Sequence, residues 1–410
     1  MPTPLPVPAD FAAPPGPDRL VAWEAADRAA RPGRLGRLRD RFAGPGVDAY
    51  FGVRREHMRY LAGFALADGE EKVAGNSGQF LVGGDEVVIL ADSRYTIQAR
   101  REAPDARLFE AYHDLPTRWP ELVRSVGARR VAVEAGFVSH ALWQRLVAAA
   151  PGVELVPVEG WVEDDRATKE PAELERIGAA CAVADRALAA LLPRIRPGVT
   201  EATLALELEW LMRTNGAEAL AFDVACLAGP EAALPHGAPG DRPVTTGTVL
   251  LFDFGAQVAG YRSDMTRTLF VGEPSARDLG IYQLVAAAQA AAVTAVRDAV
   301  AAAHTGEAMP DGRTLDAAAR GVIEAACHGE HFGHGTGHGI GLATHEGPSL
   351  GRTAPEAPIP RRTVFSVEPG VYLDGEMGVR IEDLVAIDAD AGSVELLTGF
   401  PRDVFVVGGA

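Results

Sequence analysis

Lysine is almost absent from this chain of 410 residues: Lys72 and Lys169 are the only two, and the net charge is −17. Phosphate backbones are gripped by clustered Lys and Arg, so this balance excludes nucleic acid as an expected partner and favours solubility. Cysteine is scarce too, with Cys181, Cys226 and Cys327 too few and too scattered for a disulfide framework or a thiol motif. No stretch approaches the roughly 20 uninterrupted apolar residues of a membrane helix. The N-terminus shows neither the basic start nor the apolar run of a signal peptide. A cytoplasmic protein without a membrane partner is therefore expected. Residues 1–17, rich in Pro and Ala, read as an extended, partly disordered arm or a segment draped over a neighbour.

What the chain does contain is acid and histidine in a pattern. In Thr248-Val-Leu-Leu-Phe-Asp253-Phe-Gly-Ala-Gln-Val-Ala-Gly-Tyr-Arg-Ser-Asp264-Met-Thr-Arg-Thr, two β-rich runs flank a break near Gly260. A turn centred between Val258 and Ala259 would set Asp253 directly opposite Asp264, with Cβ atoms about 4.5 to 5.5 Å apart. The run from Val364 to Val385 repeats the design: its midpoint falls on Gly375, which sets Glu368 opposite Glu382. Solvated strand acids would be unremarkable, but Leu251, Phe252 and Phe254 surround Asp253, and Val364, Phe365 and Val367 precede Glu368. Such strands read as buried on both faces. Opposed buried carboxylates are costly unless a cation lies between them, and a divalent metal removes the cost.

Of ten histidines, five fall between His328 and His345 in a run rich in glycine, His334-Gly-Thr-Gly-His338-Gly-Ile-Gly-Leu. Neutral imidazole is the commonest metal ligand, and glycine lets backbone pass close to a crowded ion. His338 is the expected fifth ligand, with His334 and His345 left for substrate. Other chemistries fail on spacing. The loop has no G-x-G-x-x-G register and no Walker lysine, His345-Glu346 lacks the second histidine of H-E-x-x-H, and Gly75-Asn-Ser77-Gly is not G-x-S-x-G.

A chain of this length, 47% hydrophobic, accommodates two cores. Before about Gly160, strand-like runs (Val87-Val-Ile-Leu, Arg130-Val-Ala-Val) alternate with helical ones (Arg34 to Phe42, Ser139 to Ala150), an α/β pattern. Beyond it, Pro171 opens a helix to about Leu192, and Thr200 caps another that stops at Gly216. Alanine-rich helices are expected near Asp278 to Ala303 and Thr314 to Cys327. The expected fold class is α+β in two domains. An N-terminal α/β domain (18–160) follows the arm (1–17), and the second domain (161–410) has helices covering a curved antiparallel sheet.

Together, Pro235-His236-Gly, Asp253-Phe-Gly, Ser263-Asp264-Met-Thr-Arg-Thr, His334-Gly-Thr-Gly-His338, His345-Glu, Glu368-Pro-Gly-Val-Tyr372 and Arg380-Ile-Glu382-Asp resemble the pita-bread metallopeptidases over roughly residues 165 to 400. That family includes aminopeptidase P, prolidase, methionine aminopeptidase and the metal-free creatinase. Arg59-Tyr-Leu-Ala-Gly-Phe64 and the segment around Arg94 and Tyr95 resemble the N-terminal domain of creatinase, prolidase and aminopeptidase P.

The resemblance implies two divalent cations. Asp253 would serve one, His338 and Glu368 the other, and Asp264 and Glu382 both. Mn²⁺ is expected, with Co²⁺ or Zn²⁺ also compatible with oxygen-rich ligation and one imidazole. It further implies His345 and His236 as catalytic groups, Glu368 as proton shuttle, and Arg380 as the group orienting a ligand carboxylate. His236, His334 and His345, with Phe222, would contact substrate, and Tyr372 matches the family's tyrosine.

The implied activity is an Xaa-Pro aminopeptidase of the aminopeptidase P type, acting on small peptides with proline second. The alternative is an Xaa-Pro dipeptidase, and a more remote one a non-enzymatic binding module. Several prolidases place an arginine after the proline that follows the His-Glu pair. Here Ser349 follows Pro348, and Arg352 is the nearby guanidinium available for a dipeptide's carboxylate. Related two-domain enzymes commonly form homodimers, which is the expectation here. Arg94 would then serve either a partner's substrate site or a structural ion pair.

Overall fold

The structure is a computed structural model describing residues 4–66, 75–110 and 114–408. Lys72 and the first three residues of the arm lie outside that set. The chain divides into two compact units, Val21–Asp165 and a second built from Met1–Leu20 with Arg166–Ala410.

The smaller unit is built on a six-stranded mixed sheet in the spatial order Arg107–Phe109, Val87–Leu90, Phe80–Val82, Ala49–Gly52, Arg130–Glu134, Glu154–Val158. Ala49–Gly52 runs antiparallel to Phe80–Val82 and parallel to Arg130–Glu134. The β-branched run Val87-Val-Ile-Leu favours a strand, and its burial on both faces explains the lack of polar alternation. Ser139 starts the helix His140–Ala149 by accepting from Leu142 N at 3.2 Å. Phe51, Leu81, Val88, Trp119, Leu122, Val131 and Leu146 form the core.

A carboxylate organises the polar part of this unit. Buried Glu134 accepts from Tyr50 Oη at 2.6 Å, Val53 N at 2.7 Å and Arg54 N at 3.0 Å, and its Oε1 lies 2.5 Å from His57 Nδ1. Burial opposes its charge, yet these hydrogen bonds, that of His57 foremost, hold it below the usual carboxylate range.

Two expectations change here. The short helix Glu163–Ala167 carries the first unit past residue 160, because Asp164 and Asp165 pair with Arg41 and Arg37, each at 3.3 Å. The Pro/Ala-rich segment is not a loose arm over residues 4–16. Arg186 Nη1 donates to Pro8 O at 2.8 Å, and Phe11 stacks on Phe400 with ring centroids 6.0 Å apart. Both partners lie far along the chain, so composition alone did not reveal them. Arg94 is tied to Asp92 at 2.9 Å.

In the larger unit, helix Pro171–Leu191 begins with proline in its first turn and Glu173 Oε2 accepting from Glu170 N at 2.7 Å. Thr200 and Asp311 cap helices Glu201–Thr214 and Gly312–Ala325. Helix Ala276–His304 is long and apolar enough, by length and composition, to cross a membrane, contrary to the expectation that no stretch approaches this. Ile281, Val285, Ala288, Ala292, Val296 and Val300 recur at helical spacing and pack into the main core with Leu251, Phe270, Phe365, Val367, Val385 and Ile387. That stripe is the part of the helix buried in the core.

The strands are mostly antiparallel. One sheet runs Val406–Val407, Met265–Val271, Thr248–Phe254, Ala225–Ala228. Another runs Glu346–Leu350, Gly337–Gly339, Arg362–Val367, Asp383–Asp388, Ser393–Leu396, and Gly370–Leu373 pairs with Met377–Arg380.

Glu134→Ala would strand the buried Tyr50 hydroxyl and His57 imidazole. Urea unfolding followed by tryptophan fluorescence should show the Val21–Asp165 unit destabilised by about 3 to 5 kcal/mol. A midpoint unchanged from wild type would refute the role given to Glu134.

Candidate metal centre and active site

The hairpin carrying the first acid pair turns one residue later than its sequence suggests. Val258 pairs with Tyr261, and the two turn residues, Ala259 (φ 47°) and Gly260 (φ 83°), both take positive φ. Hairpin turns of this kind match strand twist and favour glycine in second place. Asp253 consequently faces Thr266, not Asp264, which sits just before its strand. The second pair keeps the expected register. Gly370↔Arg380 on one side and Val367↔Asp383 on the other leave Glu368 and Glu382 at matched positions, centred on Gly375.

His338 reaches the acids because glycine flanks it. A Cβ on Gly337 would overlap the carbonyl of Ser366, and one on Gly339 the carbonyl of Gly347. The strand therefore lies closer to its neighbours than any side chain permits. Ser366 Oγ accepts from His338 N at 3.0 Å and donates to Glu368 Oε1 at 2.9 Å, tying the two together. His338 Nδ1 is 3.0 Å from Gly339 O. With the proton on Nδ1, the Nε2 lone pair faces Glu368 Oε1 at 3.4 Å and Asp264 Oδ2 at 3.6 Å.

All five expected ligands line one cavity of about 330 Å³, together with Phe222, His236, His334, Thr344, His345 and Arg380. Ligand atoms of Asp264, His338 and Glu382 lie within 4.8 Å of one another. Arg380 Nη2 donates to Asp253 Oδ2 at 2.6 Å, and Thr266 Oγ1 donates to Glu382 Oε2 at 2.7 Å. The other oxygens, Asp253 Oδ1 and Glu382 Oε1, are buried without a hydrogen-bond partner among the described residues. Orphaned carboxylate oxygens converging with an imidazole lone pair are what a divalent cation requires, so these residues fit a metal.

The electrostatics agree. Burial, then the facing carboxylates of Glu382, Asp253 and Glu368, pushes Asp264 well above the usual carboxylate range. Burial, then Glu368 and Asp253, does the same to Glu382. Burial also raises Asp253, against the pull of Arg380. His345 is lowered by burial and by His338, and its ring lies 4.2 Å from that of His338. His334 is lowered, mainly by burial.

A polar chain runs outward from Arg380. Its Nη1 donates to Tyr372 Oη at 2.8 Å, and Tyr372 Oη is 2.8 Å from His334 Nε2. Tyr372 is thus a hydrogen-bonding link whose hydroxyl burial pushes up to about 12.

One expectation finds no place in the cavity. Arg352 is exposed and paired with Glu324, so it is not available to a bound carboxylate. Neither His328 nor His331 lines the cavity; their rings pair with each other 5.5 Å apart. Sequence reading missed Thr266, Ser366 and Thr344. Thr266 was detectable, since it stands two residues after Asp264 and side chains on one strand face recur at that period.

The profile of metallopeptidase family M24 matches residues 175–389, and that of the creatinase/prolidase N-terminal domain matches residues 34–168. A Pyrococcus furiosus Xaa-Pro dipeptidase is 30% identical over 342 residues, which is 83% of this chain and 91% of the relative. Among solved structures, the Xaa-Pro dipeptidase from Bacillus anthracis aligns with a TM-score of 0.81 at 31% identity, covering 92% of this chain and 99% of the other. The X-Pro aminopeptidase from Thermotoga maritima aligns at 0.80 with 34% identity, covering 91% and 99%. With five ligand-type side chains lining one cavity inside the matched region, this chain belongs to metallopeptidase family M24, and a creatinase/prolidase-type domain precedes its peptidase domain.

Proposed function

We propose that this protein is a dinuclear metallo-exopeptidase that hydrolyses the Xaa-Pro bond of short peptides, as an Xaa-Pro dipeptidase. The observation that carries the reading is the meeting of Asp264, His338 and Glu382, with Glu382 Oε1 buried and without a hydrogen-bond partner among the described residues. The dipeptidase form takes precedence over the aminopeptidase P form because relatives similar over most of the chain, from Pyrococcus furiosus and Bacillus anthracis, are named as Xaa-Pro dipeptidases. One observation favours the aminopeptidase P form as a second reading. Arg352 faces away on Glu324, and Arg380, the arginine of the cavity wall, is committed to Asp253, Thr266 and Tyr372. A dipeptide carboxylate would then fall to His236 or His334.

In this proposal Asp253, Asp264, His338, Glu368 and Glu382 would hold the two cations, with Mn²⁺ suited to the oxygen-rich set. Such ions supply a Lewis acid and an activated water at neutral pH. The side chains do the rest. Arg380 and Thr266 hold Asp253 and Glu382 in place, leaving one oxygen of each for ligation. His345, held neutral, donates toward the scissile carbonyl oxygen as charge builds there. His236 and His334 line the pocket that receives proline. Glu368, tethered by Ser366, passes a proton to the departing proline nitrogen. The proposal extends to a cytoplasmic homodimer, on the resemblance to two-domain relatives.

Three outcomes test it. Asp264→Asn should lose metal and abolish hydrolysis. Since burial and facing acids raise Asp264 above its unfolded value, its charge costs stability as pH rises, and the metal-free variant should melt at higher temperature than metal-free wild type at neutral pH. Full metal content in that variant would remove Asp264 from the ligand set. His345→Ala should retain metal and lose about 10² to 10⁴ in kcat; wild-type turnover would exclude it from catalysis. Finally, the Mn²⁺-loaded enzyme should cleave Ala-Pro at least about a hundredfold faster than Ala-Pro-Ala. Equal rates would favour the aminopeptidase P form instead.

A further inference from the structure

His345 makes no side-chain hydrogen bond among the described residues, yet it lines the cavity with its ring 4.2 Å from that of His338. Its direction therefore depends on its backbone neighbours, and both are held. Thr344 Oγ1 donates to Ala221 O at 3.0 Å and accepts from Arg262 Nη1 at 3.0 Å. On the other side Glu346 is almost fully buried between two cations: Lys169 Nζ donates to its Oε1 at 2.6 Å, and Arg166 Nη2 donates to its Oε2.

Lys169 has no exposed surface, and Arg166 is 2% exposed. Lys169 Nζ also donates to Arg166 O at 2.6 Å, and its backbone is joined to Arg362 by Lys169 N to Arg362 O at 3.1 Å and Arg362 Nε to Lys169 O at 2.6 Å. The clamp is thus anchored on the strand Arg362–Val367 that leads to Glu368. Burial works against the charge of Glu346, but Lys169 and Arg166 hold it below the ordinary range. Its carboxylate leaves no room for a Cβ at Gly341 and accepts from Ala343 N at 3.4 Å, so the loop 341–346 folds around it.

Burying three charges is seldom the most stabilising way to fill such a space; an apolar trio of similar volume commonly does as well. What a charged clamp supplies is direction: two cations reaching a carboxylate from fixed backbone define where that backbone lies. We propose that Arg166 and Lys169 are positioning residues for the reaction, which act through Glu346 to aim His345 at the metal ligands. This rests on the catalytic assignment of His345 made above.

The test is a double-mutant cycle on the Mn²⁺-loaded enzyme with Ala-Pro as substrate. Glu346→Gln should lower kcat between about tenfold and a hundredfold, the cost of a small misplacement, with KM within about threefold and Mn²⁺ content unchanged. In the His345→Ala background the same substitution should change kcat by less than about twofold, because the group it aims is gone. Equal losses in both backgrounds, or loss of Mn²⁺, would overturn the proposal and leave a general structural role. A Glu346→Gln enzyme as active as wild type beside an inactive His345→Ala would overturn the proposal alone. An active His345→Ala would take the assignment of His345 down with it. If melting shows Glu346→Gln unfolded, Lys169→Met, which leaves Arg166 on the carboxylate, carries the same comparison.

Discussion

Four carboxylates share one cavity, and their mutual repulsion is the constraint around which the larger unit is organised. At an effective dielectric of 20, two unit charges 4 Å apart interact by on the order of 4 kcal/mol. Burial first, and then this repulsion, pushes three of the four acids above their ordinary range. The protein offsets part of the cost itself. Arg380 neutralises Asp253, Thr266 donates to Glu382, and fully buried Arg267 pairs with Asp383 at 2.7 Å while donating to the carbonyls of Thr266 and Glu382. The first two take one oxygen of Asp253 and of Glu382 and leave the other without a partner among the described residues. The remaining imbalance is of the kind a divalent cation relieves.

The same crowding demands a stiff frame. Gly337 and Gly339 let the His338 strand lie against Ser366 and Gly347 at a separation that no Cβ allows. The loop before it is held by Arg320, which pairs with Asp316 at 2.7 Å and donates to Phe332 O at 3.0 Å and His334 O at 2.7 Å. Asp316 in turn accepts from Thr336 N at 3.0 Å and Oγ1 at 2.7 Å. The loop after it is held by Glu346 between Lys169 and Arg166. The histidine-bearing loops are therefore fixed by buried ion pairs on either side, which is how side chains outside regular elements are given a definite direction.

Much of this was readable before any coordinates. Two long helices start where Pro171 and Thr200 stand, because caps and first-turn prolines act on their own turn of chain; the cap Asp311, which starts the helix expected from Thr314 two residues earlier, went unread. The Glu368–Glu382 register followed from Gly375, whose φ of 71° suits a turn centre. The Asp253–Asp264 register did not. A shift of one residue in the turn moves the cross-strand partner by two, and Ala259 gave no signal that it would adopt positive φ. Arg352 illustrates another limit: closeness in sequence to His345 said nothing about Glu324, 28 residues earlier, which captures it.

Residue types and local spacing determined which groups this protein uses: four acids and an imidazole in order, glycines around the imidazole, capped helices, and apolar runs marking buried strands. These depend on interactions within a few residues, where backbone geometry leaves little choice. Tertiary structure alone decided which oxygen of Asp253 and of Glu382 is left without a partner among the described residues, that Tyr372 links Arg380 to His334, that Pro8 and Phe11 rest on Arg186 and Phe400, and that Lys169 and Arg166 meet Glu346 across some 180 residues. Such contacts form only when the packed sheets and helices bring distant side chains together. Their partners are chosen by geometry in space, of which linear spacing carries no trace.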